Sequence, residues 1–339
     1  MNVKRFQNKV AESRIALPAT AVYTLIVCAL SGMFGNGMWL QVVLLAFAGY
    51  LMFQLNNVNA LIRIFSRMIS CSYLVLMTMA FFLFDDIANS IISVLAIAFY
   101  MFFFSIYQDG TAVGRIFYAF AVLGIMSVVF VQSLYFLPII WVLLFTNIMA
   151  GNVRMIIASL MGLTLPYWFI GAYGLMSGDV MLLMPHFESL AEFAPIADWQ
   201  NVSWAEIITF GFVGLLSITG MIHFRLNNYK DKIRTRMMFE IFSVMNLCLL
   251  LFIALQPIHF DALLTLLIVN TTPMIAHYIA LTNTKITNLS FYIILLITLG
   301  LTIGNVWTLF SVFLLIGAIG VCCSPRSWQA VSSRSAAKP

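Results

Sequence analysis

Long apolar runs separated by short polar breaks organise the whole chain. They fall at about 17–33, 38–55, 68–84, 87–107, 116–131, 134–150, 155–176, 204–222, 239–256, 262–281, 288–303 and 305–322. A helix that crosses a bilayer needs about 20 mostly apolar residues. Barrel strands would instead show segments of about ten residues with alternating polarity. The pattern predicts an all-α polytopic transmembrane helical bundle of about twelve spans. These spans occupy residues 17–322, between a basic tail 1–16 and a second tail 323–339. No internal repeat is visible. Two connections are longer than the rest: 177–203 and 223–238.

Charge fixes the expected orientation. Cytoplasmic connections carry an excess of Lys and Arg. With the N-terminus inside, Lys4, Arg5, Lys9 and Arg14 are cytoplasmic, followed by Arg63 and Arg67, Arg115, Arg154, the Arg225–Arg236 stretch, Lys285, and Arg326, Arg334 and Lys338. That assignment puts all 17 basic residues on one face. The acids lean outward: Asp85, Asp86, Asp179, Glu188, Glu192, Asp198, Glu206 and Asp261 fall outside. Both termini are expected in the cytoplasm. The first run begins like a signal peptide, but an uncleaved first helix is the simpler expectation.

Composition narrows the function classes. Of 339 residues, 63% are hydrophobic and only 9% are charged, and mean hydropathy is +1.02. Ordinary soluble proteins carry about 25% charged residues, so a soluble enzyme is excluded. The net charge of +5 then records topology and does not point to nucleic acid. The five cysteines sit in apolar runs or at their ends, where thiols act as small hydrophobes.

Three groups of residues are candidates for chemistry. In the outer segment, Leu183, Phe187, Leu190 and Ala194 make one apolar stripe opposite Glu188, Ser189 and Glu192. This spacing predicts a short amphipathic helix in the interface, flanked by Trp199 and Trp204. Glu188 and Glu192 lie four apart, so a helix brings them together, and close carboxylates can divide into an acid and a base. With Asp198 they are the weak catalytic candidates. The plainer alternative is a solvated helix face. The second group is Asn270-Thr271-Thr272-Pro273 in the tenth run, where Asn270, Thr272 and Pro273 suggest a broken helix at membrane depth, or else a proline kink held by helix–helix hydrogen bonds. The third is basic. Arg63 and Arg67, one helical turn apart, are placed to grip a lipid phosphate. The Arg225–Arg236 stretch suits anionic headgroups or simply sets orientation.

The remaining signals are weaker. Asp85-Asp86 is the one adjacent acid pair, readable as phosphate or metal chemistry or as a cap on the next helix. His186, Glu188, His259 and Asp261 have i,i+2 spacing, which does not converge on one helix face, so no metal site and no cofactor are expected. No charged residue falls near a span centre.

The layout resembles an uncharacterised family of bacterial multi-pass membrane proteins, a domain of unknown function. The matching features are the short basic tail, the Asn56–Arg67 connection, Gly114-Arg115-Ile116-Phe117-Tyr118-Ala119-Phe120 opening a span, the outer Phe- and Asp-containing loop near 187–199, and the basic loop near 225–236. More remotely, the chain is similar to polymerases and transferases of lipid-linked glycans. It departs from them in having Phe34-Gly35-Asn36-Gly37 as its first outer connection and no outer arginine. The resemblance implies a multi-pass protein of the bacterial inner membrane and brings no activity with it. Three functions follow as expectations. The first is envelope biogenesis on a lipid-linked or glycan substrate at Glu188, Glu192 and Asp198. The second is a transporter or flippase with a midplane site in the tenth span. The third is a non-catalytic scaffold. The expected partners are the bilayer and an anionic lipid or lipid-linked substrate.

Overall fold

The computed structural model describes residues 5–178, 181, 183–193, 195–200 and 202–322, with side chains as far as Trp307. Lys4, Asp179, Ala194, Asn201, Cys323, Arg326, Arg334 and Lys338 lie outside the described residues, as does the tail 323–339. All regular structure among the described residues is helical. In chain order the helices are α1 (Phe6–Glu12), α2 (Ala16–Leu30), α3 (Trp39–Asn59), α4 (Met68–Met79), α5 (Ile87–Ser105), α6 (Val113–Val129), α7 (Leu137–Thr146), α8 (Val153–Ser177), α9 (Met184–Glu188), α10 (Trp204–Asn227), α11 (Ile233–Leu255), α12 (Phe260–Leu281) and α13 (Lys285–Cys322).

Among the described residues, seven helical segments are long and apolar enough to cross a membrane: Trp39–Asn59, Ile87–Ser105, Val153–Ser177, Trp204–Lys230, Ile233–Leu255, Pro257–Leu281 and Lys285–Trp307. The pair α1 and α2, bent by 90°, makes an eighth if counted as one span. Met68–Met79, Val113–Val129 and Val131–Thr146 are shorter apolar helices. The molecule is a multi-pass membrane protein. Each of the first ten apolar runs has its own helix. The eleventh and twelfth differ from expectation: both lie within α13, 38 residues with no turn between them.

Local chemistry explains where helices begin and end. Asp86 caps α5, its carboxylate accepting from the Ala88 N–H at 2.8 Å. This is the cap that the Asp85-Asp86 pair allows. Asn152 caps α8 through the Met155 N–H at 2.9 Å. Ser203 and Glu206 form a reciprocal capping box on α10, which satisfies two backbone donors that would otherwise face the interface. Gly178 ends α8 at φ 79°, a left-handed conformation that a side chain would strain.

The core is built around α12. Every residue from Leu263 to Ala280 is buried, as expected of a helix enclosed on all sides. α1, α4, α5, α10 and α11 pack on it. At the periphery, only 17% of the Lys285–Trp307 window is buried, so its apolar side chains face outward, where lipid belongs. Connections gather at two ends. At one, Arg63 meets Lys230, Arg234 meets Asn59, Gln108 meets Ile148 and Gln7 meets Thr282. All described Lys and Arg lie toward this basic end. At the other, Ala197 bonds Leu255, Gln132 reaches Ser189 and Asn305 bonds Met79. This second end carries Asp85, Asp86, Glu188, Glu192, Asp198, Glu206 and Asp261.

Candidate functional site

Helix α12 carries polar side chains at three depths. In the middle, the Tyr100 hydroxyl on α5 donates to Asn270 Oδ1 at 2.6 Å. Asn270 Nδ2 donates to the Leu266 carbonyl at 2.9 Å, and the Thr272 hydroxyl to Ile268 at 2.7 Å. Thr271 reaches Asn246 Oδ1 on α11 at 3.4 Å. Pro273 removes one backbone donor, and back-bonding by Asn270 and Thr272 supplies neighbouring carbonyls instead. The helix therefore runs unbroken through Pro273. The broken-helix expectation is corrected: the packing on every side holds the turn closed. A cavity of about 20 Å³ adjoins Asn270, Tyr100 and Ser133, room for one water. Ser133 Oγ and Asn246 Nδ2 are buried with no hydrogen-bond partner among the described residues.

Near the basic end of α12 lies a constellation that the sequence did not reveal. His277 Nε2 is 3.0 Å from the Asp231 carboxylate, with the two side chains 1% and 3% exposed. The Arg63 guanidinium is 3.7 Å from the other Asp231 oxygen and donates to the Lys230 carbonyl at 3.3 Å. The Phe239 ring packs edge-on to His277 at 4.8 Å, and the His223 ring centroid is 5.4 Å away. The Nδ1 atoms of both histidines are buried without partners among the described residues. The loop 228–232 thus folds beneath the bundle and inserts one carboxylate. Burying an ionised carboxylate is costly unless it is paired, and here an imidazole and a guanidinium supply the pairing. Asp231 lies inside the basic stretch, where its neighbours' charge hid it. His277 is 46 residues away in sequence.

The other predicted residues are dispersed. Arg63 and Arg67 sit on an irregular segment between α3 and α4 and not on a helical turn. They point to different partners: Arg63 to Asp231, Arg67 to the Arg14 carbonyl and to the rings of Phe53 and Phe65. This corrects the shared phosphate grip. In the outer segment the helix stops at Glu188, shorter than the apolar stripe suggested. The Ser189 hydroxyl bonds back to His186, while Gln132 and Tyr135 take the carbonyls of Ser189 and Leu190. Glu188 and Glu192 are both exposed and not on one helix. Asp198 caps the Gln200 N–H at 3.2 Å beside a wide hollow of about 670 Å³ lined by Trp199 and Trp204. His186 packs inward against Ser127 and Tyr167. Among the described residues, no group of three or more His, Cys, Asp or Glu is arranged to hold a metal ion.

At the acidic end, burial first and then the Glu206 charge hold the Asp85 carboxyl above its usual range. Asp261, in the first turn of α12, lies within electrostatic reach of Glu206, Asp85 and Asp86. No protein-family model, curated protein or solved structure matches the chain.

Proposed function

We propose that the chain is a proton-coupled transporter of a bacterial inner membrane, with twelve spans and both termini in the cytoplasm. The observation that carries the reading is α12. It is buried all round, yet it presents Asn270 at mid-depth and His277, paired with Asp231, about 10 Å toward the basic end. A helix enclosed by other helices has no need of polar groups for solubility. Ionisable residues in such positions typically serve ion or substrate pathways. In this scheme Tyr100 and Asn270 meet the polar part of the substrate when the helices around their water-sized cavity part, and the His277–Asp231 pair carries the proton. The envelope-enzyme reading has less geometry behind it, because Glu188, Glu192 and Asp198 do not converge.

The proton itself serves as the probe. In proteoliposomes with an enclosed pH-sensitive dye, an imposed pH gradient should collapse faster than in protein-free vesicles. His277→Gln should abolish the excess. Tyr100→Phe should slow it by about tenfold, the weight of one buried hydrogen bond. A wild-type rate equal to that of empty vesicles overturns the reading.

The twelfth span rests on Asn305. Its amide donates to the Met79 carbonyl at 2.7 Å and to Thr209 at 3.2 Å, both at the acidic end. From Lys285 to Asn305 the helix rises about 30 Å, one bilayer core. The following apolar stretch to Cys322 would stand in water if it continued straight, which the hydrophobic effect opposes. In the twelve-span reading this stretch turns back through the bilayer near Gly304, a departure from the single helix Lys285–Cys322. A fluorescent protein fused after Pro339 should therefore fold and fluoresce in the cytoplasm, whereas an alkaline phosphatase fusion there should be inactive. The reverse result removes the twelfth span.

A further inference from the structure

A lateral slot opens near the basic end, independently of the transport reading. Its floor is α4 and α12, including Cys71 and Ile275; its walls are α2, with Ala19 and Thr20, and α13, with Leu295 and Thr298. The volume is about 190 Å³. Ala16, Ala19 and Thr20 put only small side chains on this face of α2, so the wall stands back. Ala19 and Leu295 are themselves exposed, so the slot opens sideways between α2 and α13. One turn further toward the acidic end the Tyr23 hydroxyl donates to Thr302 at 3.0 Å and ties α2 to α13, and toward the basic end Val10 of α1 lines the slot. The Thr20 and Thr298 hydroxyls are spent on carbonyls of their own helices, leaving the walls effectively apolar. Water does not stabilise such a space, and an empty one forfeits dispersion contacts.

The mouth has the opposite character. Arg67 immediately precedes Met68, which lines the slot. Its guanidinium donates to the Arg14 backbone carbonyl at 3.4 Å, so the exposed residue Arg14 stands beside it at the bend between α1 and α2. Arg67 Nε is buried with no hydrogen-bond partner among the described residues. A narrow apolar volume of about 190 Å³ below two arginines is complementary to a lipid with one acyl chain inserted and an anionic headgroup above it. We propose that the slot between α2, α4, α12 and α13 holds one acyl chain of an anionic phospholipid whose phosphate sits at Arg14 and Arg67.

The test uses the full chain in vesicles containing phosphatidylglycerol that carries a photoactivatable group on its acyl chain. Crosslinks should map to peptides 68–76 and 291–298. Ala19→Phe, which fills the slot, should reduce them by about tenfold, the change expected when roughly two methylenes no longer fit. Leu295→Phe fills the slot from the opposite wall, so a folding defect in one variant does not decide the outcome. Arg67→Ala should lower labelling by the anionic probe about fivefold and leave a phosphatidylcholine probe unchanged. Labelling spread evenly over α2 and α13, or unaltered in both filling variants, overturns the proposal. Displacement of the probe by millimolar inorganic phosphate also overturns it, because the arginines would then bind the free anion.

Discussion

Asp231→Ala lowers the stability of the protein by about 3–5 kcal/mol, measured by SDS-driven unfolding in mixed micelles. The carboxylate is 3% exposed and His277 is 1% exposed, so solvent does little to replace either partner. Removing the acid leaves His277 Nε2 facing an apolar wall of Phe224 and Phe239 and leaves Arg63 without its carboxylate. Replacing both members by leucine should recover most of the loss, because two apolar groups need no pairing. That recovery in stability should come with complete loss of proton movement. The combination separates a working pair from a merely structural one. A loss below about 1 kcal/mol in Asp231→Ala, the range of an exposed pair, would show that Asp231 is hydrated in the membrane.

Gly162→Ala is the second large effect. A Cβ there would lie 2.3 Å from the Phe117 carbonyl oxygen and 3.1 Å from the Ala121 nitrogen. Across the same contact, a Cβ on Gly124 would lie 2.5 Å from the Leu163 carbonyl oxygen. Helices α6 and α8 therefore touch backbone to backbone, the close approach that small residues permit between helices in lipid. Backbone atoms cannot rotate away, so the helices must separate, at about 3 kcal/mol. Gly211→Ala is the control. Its Cβ meets nothing within 4 Å, and on helix propensity alone it should stabilise α10 by up to about 1 kcal/mol. Equal unfolding midpoints for the two variants would contradict the α6–α8 packing.

Much of the architecture was legible because lipid imposes a simple code. Ten apolar runs became separate helices, and the described basic residues gathered at one end. The Asp86 cap could be read from two letters. The polar stretch Asn270-Thr271-Thr272 was visible as an anomaly in an apolar run, although periodicity could not say that packing would keep the helix whole. Other features had no local signal. Asp231 was one acid among five bases, and only the fold of the loop 228–232 carries it beneath His277. Gly124 and Gly162 barely register in a hydropathy profile, since their importance lies in which backbone arrives opposite. Arg63 and Arg67 had helical spacing, but Ala60, at φ 48°, ends α3 in a left-handed conformation, and the chain after it is irregular. The last two runs read as separate spans, but no residue between them stops a helix, and α13 runs through both.

The bend between α1 and α2 bears on the order in which the protein assembles. Gln7 on α1 is buried, and its amide donates to the Ile279 carbonyl at 2.6 Å and to Thr282 at 2.7 Å. Asn8 adds a bond to the Thr282 carbonyl at 2.9 Å. Those partners follow Gln7 by 272 and 275 residues, roughly 15–50 s of synthesis at ribosomal rates. A segment made early thus finds its partners only after most of the bundle has been synthesised. α1 can make these three bonds only once the end of α12 is in place, so its docking acts as a latch that α12 must precede.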